Sequence, residues 1–321
     1  MKLLILTRWD NDATFFYRLK PLTYLDNPHI YVERKVYGGQ IAYSFFDGYT
    51  HLLMERPADH SDLQIIKLAK QCGLYVITDW DDDCLHIDGF NPMFWHYEGA
   101  KDMLIDCINE SDEVWVSTPS LLRSFQMFNR NMFIIPNAHN DYLFPLENKV
   151  EYNPHNKLVM WRGGGSHEAD VYDRAEKIIK MVNDNPEWNF MFAGCRFVFM
   201  ELRCGLNYKP QSLMPLMQYF NFMLDQNPQA VFHPLRNTIF NQSKSGISWM
   251  EATYAGAAFF GNKQLPEFDH PFITDLKLLP KAISEHHSDY MHGKNLDAWQ
   301  YILDNLLLSE VNKIREERLL K

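Results

Sequence analysis

The chain has 321 residues, 46% of them hydrophobic and 14% aromatic, with a net charge of −10. That length suits two domains of ordinary size, and the composition excludes a disordered protein. The acidity, concentrated in residues 1–150 with 13 Lys/Arg against 21 Asp/Glu, disfavours a partner held by bulk electrostatics such as duplex DNA or an anionic membrane.

Short apolar runs alternate with helical patterns from the start. The run at residues 2–7 stops at Arg8 and Trp9, too early for a signal peptide, and predicts a buried strand. A helix is expected over 14–25, a strand at 51–55, a helix at 62–72 and a strand at 74–78. A helix over 97–109, a strand at 113–117, a helix at 119–128 and a strand at 132–135 complete this half. Thr118 is the expected N-cap, with Pro119 in the first turn. Such alternation is the mark of βαβ units on a parallel sheet. Residues 146–156 are polar, contain Pro154 and lack periodicity, which makes them the best linker.

The alternation then restarts, with strands at 158–161, 189–193, 230–233 and 257–260. Helices are expected at 168–183, 212–224 and 245–254, and an amphipathic surface helix closes the chain over 296–320. No run approaches the roughly 18 apolar residues of a membrane helix. The five cysteines form no C-x-x-C pair, which fits a reducing, cytoplasmic setting and small core roles. The fold expected is α/β, with two doubly wound Rossmann-like domains facing across an interdomain cleft. The first is placed at residues 1–148 and the second at 149–300, with a helix at about 300–321 free to return to the first.

Ligands of open α/β sheets bind beyond the carboxyl ends of the strands, so the residues there carry the functional reading. After strand 158–161 stand Arg162, Gly163, Gly164, Gly165, Ser166 and His167, then a helix. Successive glycines let backbone approach a ligand closely, and the helix offers free N–H groups for phosphate oxygens, with Arg162 to neutralise charge. The same three glycines also suit a tight turn without a ligand. A second segment carries Asn241, Ser243, Lys244 and Ser245, with Glu251 two turns on, a combination fit for a diphosphate and a ribose. By itself it equally describes a solvated helix face.

A third segment puts Asp79, Asp81, Asp82 and Asp83 at a strand's carboxyl end, where carboxylates can hold a cation, act as base or bind hydroxyls. A solvated acidic loop is the competing reading. Arg56, Asn137 and His139 each follow a strand in the same way, and Arg18 lies on the first expected helix. No hydrolase elbow, zinc-protease motif or paired Cys/His spacing occurs. The first turn, Arg8 to Asp12, lacks the glycine fingerprint of a dinucleotide enzyme.

Taken in order, these segments resemble the GT-B glycosyltransferases of the family-4, "group 1" type, in a bacterial and phage branch. The resemblance rests on Tyr17-Arg18 with Pro21, Glu55-Arg56-Pro57, Val76 to Asp83 with Asn91-Pro92, Asp112 to Leu121, and Ile135-Pro136-Asn137. It continues through Gly163 to Asp170 and Phe240 to Ser245 with Glu251. It covers about residues 15 to 262.

The resemblance implies a nucleotide-sugar co-substrate, a UDP-sugar first, with no tightly bound cofactor. Arg162, Gly163, Gly164, Gly165, Ser166, His167, Asn241, Lys244 and Ser245 would hold the donor, and Glu251 its ribose. Asp81, Asp82 and Arg56 would serve catalysis, with Arg18, Asn137 and His139 on the acceptor side. It further implies retention of anomeric configuration and no metal. The sequence departs from the family where the first acid of its paired glutamates would stand, at Ser243.

The acceptor expected is a glycan, a lipid-linked sugar, a small molecule or a hydroxylated base of viral DNA. The DNA case calls on Arg18, Lys20, Arg34, Lys35, Arg56, Arg123 and Arg130. Two alternatives stand beside this reading. One is a metal-dependent transferase using Asp79, Asp81 and Asp83; the other is a degenerate domain that binds a nucleotide or glycan without turnover.

Overall fold

The computed structural model describes residues 1–8, 12–38 and 41–321. The turn residues Trp9, Asp10 and Asn11, whose lack of glycine bore on the dinucleotide reading, lie outside these. Two six-stranded sheets are present, and every strand pair in both is parallel.

The first sheet has the order β2-β1-β3-β4-β5-β6. Its strands are β1 (Lys2–Thr7), β2 (Tyr31–Val36), β3 (His51–Glu55), β4 (Tyr75–Trp80), β5 (Glu113–Val116) and β6 (Met132–Ile134). Its helices are α1 (His60–Gln71), α2 (Phe94–Glu110) and α3 (Pro119–Phe125). The helix expected at 62 begins at His60 because Asp59 and Asp62 form a reciprocal capping box. Thr118 caps α3 as expected, accepting from the Leu121 N–H at 3.2 Å.

The second sheet has the order β12-β11-β10-β7-β8-β9. Its strands are β7 (Leu158–Gly163), β8 (Asn189–Gly194), β9 (Tyr208–Ser212), β10 (Ala230–His233), β11 (Ala258–Gly261) and β12 (Thr274–Asp275). Around it stand α4 (Glu168–Asp173), α5 (Ala175–Asp184), α6 (Val198–Arg203), α7 (Leu216–Gln226), α8 (Ile239–Gln242), α9 (Ile247–Tyr254), α10 (Leu279–Ser284) and α11 (Ser288–Asn305). The last helix, α12 (Leu308–Leu319), buries Leu308, Val311 and Leu319 against Leu3, Ile5 and Trp115 of the first sheet. The crossing is pinned by His139, whose N–H donates to the Leu306 carbonyl and whose carbonyl accepts from Leu308.

Several elements differ from expectation for local reasons. Pro21 lacks an amide hydrogen, and residues 14–25 form a π-helical turn (Phe15–Leu19) and a 3-10 turn (Lys20–Tyr24) instead of one helix. The helix expected over 168–183 breaks at Arg174, between α4 and α5. The one expected from 212 starts at Leu216, after Pro215 and the edge strand β9. The closing surface helix is two helices, and each buries one face. No helix of the described residues is long and apolar enough to cross a membrane. The five cysteines are free.

Each sheet reverses strand order once, between β1 and β3 in the first and between β7 and β10 in the second. Crevices for ligands open at such switch points, beyond the carboxyl ends of the strands.

Candidate functional site

A cavity of about 490 Å³ lies between the two sheets. The first domain contributes Asp12, Thr14, Tyr17, Asp81 and Asp82 to its wall. The second contributes Arg162, Gly163, Gly164 and His167 after β7, Gly194 at the end of β8, and His233 and Leu235 at the end of β10. Tyr219 of α7, Lys244, Ser245, and Ser248 and Glu251 of α9 close the far side. Both switch points therefore feed one space.

Charge is arranged around that space in two linked groups. Lys244 Nζ donates to Asp82 Oδ1 at 2.7 Å across the cleft. Arg56 approaches Asp81 at 3.6 Å, Asp82 at 4.0 Å and Glu55 at 3.2 Å. Its backbone has φ of +40°, a left-handed conformation that costs a side-chain-bearing residue about 1 kcal/mol. Such strain at the end of β3 marks a residue held in place by its surroundings. Thr14 donates to Asp81 at 2.9 Å.

Burial raises the Asp81 carboxyl above its ordinary range, although Arg56 opposes it. Burial works against ionisation of Asp82 as well, but Lys244 and then Arg56 overcome it and hold that carboxyl below the ordinary range. Adjacent acids with pKa values driven apart suit different proton-handling tasks.

Glu251 anchors the second group. Tyr17 donates to it at 2.6 Å, Tyr219 donates at 3.1 Å, and Arg162 pairs with it at 2.7 Å. The Arg162 contact is an ion pair without hydrogen-bond alignment, since Nε and Nη2 of the guanidinium have no aligned acceptor. Burial and then Glu251 push the Tyr17 hydroxyl far above its ordinary value, so it remains a donor.

Of the residues singled out in the sequence, Asp81, Asp82, Arg162, Gly163, Gly164, His167, Lys244, Ser245 and Glu251 meet at this cavity. Arg56 stands behind the two aspartates. Asn137 supports Ser245, donating to its hydroxyl at 2.8 Å. Gly165, Ser166 and Asn241 are not part of the wall. Ser166 and Asn241 line a small neighbouring recess, where Asn241 donates to Asp170 at 3.0 Å, and Gly165 faces Pro92.

Arg18 is fully buried and spans Asp79 with two bonds of 2.6 and 2.9 Å, which places it in the interior, away from the cleft. His139 is buried among Phe144, Tyr254 and Trp299, and its Nε2 meets the Phe144 carbonyl at 2.9 Å. Neither lines the large cavity; His139 lines a small recess beside it, with Tyr17 and Glu251.

The four clustered acids diverge. Asp79 is taken by Arg18, and Asp83 is fully buried with Ser124 and His86 as partners. Asp79, Asp81 and Asp83 thus share no site, and among the described residues no group of three or more His, Cys, Asp or Glu is gathered to hold a metal ion. Tyr17, which the sequence marks only beside Arg18, also lines the cavity, and Tyr219, His233, Asp12 and Thr14 join it there without having been singled out. His233, the last residue of a strand, and Asp12, in the turn after the first strand, carry a positional signal for it.

No protein-family model and no curated protein sequence matches the chain. Solved structures do match. An alpha-glucosyltransferase in complex with UDP-glucose and DNA containing an abasic site is similar, with a TM-score of 0.69 and 10% identity over 100% of this chain and 99% of that one. HepE of Anabaena, in complex with UDP, gives 0.65 and 12% identity over 99% of each chain. A glycosyltransferase from Rickettsia africae gives 0.60 and 8% identity over 98% of this chain and 97% of that one. The likeness establishes the fold: GT-B, two Rossmann-like domains facing across a cleft.

Proposed function

We propose that this chain is a glycosyltransferase that moves a sugar from a nucleotide-sugar donor, UDP-glucose being the first to try, to a neutral hydroxyl acceptor. The observation that carries this is the cavity itself. One wall offers two glycines and two cations, Arg162 and Lys244, and the facing wall offers carboxylates. The first suits a diphosphate, and the second suits a reacting hydroxyl and a sugar. Two of the similar structures are complexes with UDP-glucose or UDP, which supports the choice of nucleotide.

In this reading residues 149–300 bind the donor. The backbone at Gly163 and Gly164 approaches the diphosphate, while Lys244 and Arg162 neutralise the charge that grows on it as the sugar leaves. Glu251 accepts from the ribose hydroxyls. Residues 1–148, with the last helix, present Asp81 and Asp82 to the sugar and the acceptor, with Arg56 behind them. The two cations supply the leaving-group stabilisation, so the transfer is metal-independent, and it retains anomeric configuration. Asp82, held ionised by Lys244 and Arg56, orients the acceptor hydroxyl, and Asp81 is placed to exchange its proton.

A neutral acceptor is favoured over nucleic acid by the state of the basic side chains on the first domain. Arg18 is buried on Asp79, the partly exposed Arg56 is engaged by Asp81, and Lys35 lies 3.5 Å from Glu33. The test is calorimetric titration with UDP, GDP, ADP and their glucose conjugates, followed by release of UDP from UDP-glucose with and without a chelator. Binding of one nucleotide class, with chelator-resistant turnover, supports the proposal. Binding without any turnover would leave a nucleotide-binding module, and loss of turnover with chelator would overturn metal independence.

A further inference from the structure

His233 stands at the carboxyl end of β10, one residue beyond the Phe232–Trp161 pairing with β7. It therefore lies at the switch point of the second sheet. Its imidazole is 4% exposed and forms part of the cavity wall, yet neither ring nitrogen has a hydrogen-bond partner in the protein. A neutral imidazole carries one donor and one acceptor, and leaving both unmet in a buried place is costly. A polar ligand atom arriving from the cavity side would remove that cost.

The surroundings say what kind of atom. The His167 ring lies 4.7 Å away, edge to face, and His167 Nδ1 is 3.3 Å from Asp170. Arg162 and Lys244 face the pair from β7 and from the segment before α9, and Asp82 faces His167 from the first domain. On the remaining side is the ring of Phe268, at 6.3 Å. Cations and near-neutral imidazoles gathered at one end of a cavity fit a multiply charged anion.

We propose that His233 and His167 belong to the diphosphate-binding end of this cavity, and that donor binding is completed by uptake of a solvent proton onto this histidine pair. The proposal rests on the donor reading above, which already expects His167, and adds His233 and a linked proton to it. In the free protein burial, and then the repulsion that a protonated His167, Arg162 and Lys244 would exert, hold His233 well below the ordinary histidine range. Burial likewise lowers His167, with Asp170 opposing. A diphosphate reverses the sign of the local field, so it raises both values. Between the free and bound values, binding takes up a proton and affinity falls as pH rises. No bond other than that N–H forms.

The probe is UDP-glucose, whose diphosphate diester does not itself titrate near neutral pH, with uridine as the uncharged comparison. Titration calorimetry in buffers of different ionisation enthalpy should show proton uptake on UDP-glucose binding and none with uridine. The dissociation constant should rise by up to about tenfold per pH unit across the window. His233→Gln keeps a donor and an acceptor but cannot titrate, so it should still bind while the uptake shrinks. His167→Gln should do the same.

Glu55 and Glu267, whose carboxyls burial pushes up to about 7, titrate in the same range, and the variants separate their contribution. UDP-glucose binding with no proton uptake, or uptake unchanged in both variants, overturns this proposal and leaves the transferase reading intact. If no nucleotide binds at any pH, both fall together.

Discussion

Lys244 Nζ lies 2.7 Å from Asp82 Oδ1, a cation of the second domain resting on a carboxylate of the first across the cavity. Each neutralises the other in the free protein, and an entering diphosphate must compete with Asp82 for Lys244. Lys244→Ala should therefore weaken UDP binding about 10–100-fold, the worth of a charge-assisted hydrogen bond of roughly 1.5–3 kcal/mol. Asp82→Asn should act in two directions, freeing Lys244 to bind UDP several-fold more tightly while lowering turnover. Calorimetry and a UDP-release assay on the same preparations check both. Weaker UDP binding in Asp82→Asn would show that the aspartate helps to hold the donor instead of competing with it.

Glu251 ties the domains together through Tyr17 at 2.6 Å, and within its own domain it pairs with Arg162 at 2.7 Å. Removing one member of a buried ion pair leaves the other charge uncompensated, which costs about 3–5 kcal/mol. Glu251→Ala should be destabilised by that order in urea unfolding. Tyr17→Phe should lose only about 1 kcal/mol, a single hydrogen bond. The double variant Arg162→Met, Glu251→Met should recover much of the loss, because neither charge is then stranded. Equal stability of Glu251→Ala and Tyr17→Phe would mean that Arg162 finds another partner or water.

The central strands were legible because they are unbroken apolar runs, as at residues 2–7 and 230–233, bounded by turn residues. The edge strands β2 and β9 were not. Tyr31–Val36 carries three charged residues and Tyr208–Ser212 contains a proline, both features that protect an edge and erase the strand pattern. At the site, Gly163, Lys244 and Asp82 were legible because each follows a strand or opens a helix. Tyr17 stands out in the sequence only beside Arg18, and its bond to Glu251 was not legible because that partner lies 234 positions away. Arg18 suggested a cleft residue for the converse reason, since Asp79, 61 positions on, takes up its charge in the interior.

Glu267 gives a pH test of stability that is independent of the donor. Burial alone raises its carboxyl to about 7 in the folded state, against 4.5 for the ordinary group. Between those values the folded protein binds more protons than the unfolded chain, so stability falls as pH rises through that window. Above it the buried charge costs at most about 3 kcal/mol. Glu267→Gln should accordingly raise the unfolding free energy at pH 8 and leave it nearly unchanged at pH 4.5. A gain of equal size at both pH values would point to packing and not to the charge.

Two glycines of the donor wall separate folding from binding. Gly194, at the end of β8, has φ of +117°, and a Cβ placed there would lie 2.1 Å from the Gly163 carbonyl oxygen. The β7 and β8 ends can approach as they do only without a side chain at this position. Gly164 is the opposite case: it lines the cavity, and a Cβ on it meets nothing within 4 Å. Gly194→Ala should therefore lower the melting temperature and weaken donor binding together, as the two strand ends are forced apart. Gly164→Ala should melt within about 1–2 °C of the parent, since a surface change of this kind stays within roughly 0.5 kcal/mol. Its UDP affinity should nevertheless fall, because the added methyl occupies the space a phosphate oxygen needs to reach the backbone. Unchanged UDP affinity in a well-folded Gly164→Ala protein would place the diphosphate elsewhere in the cavity.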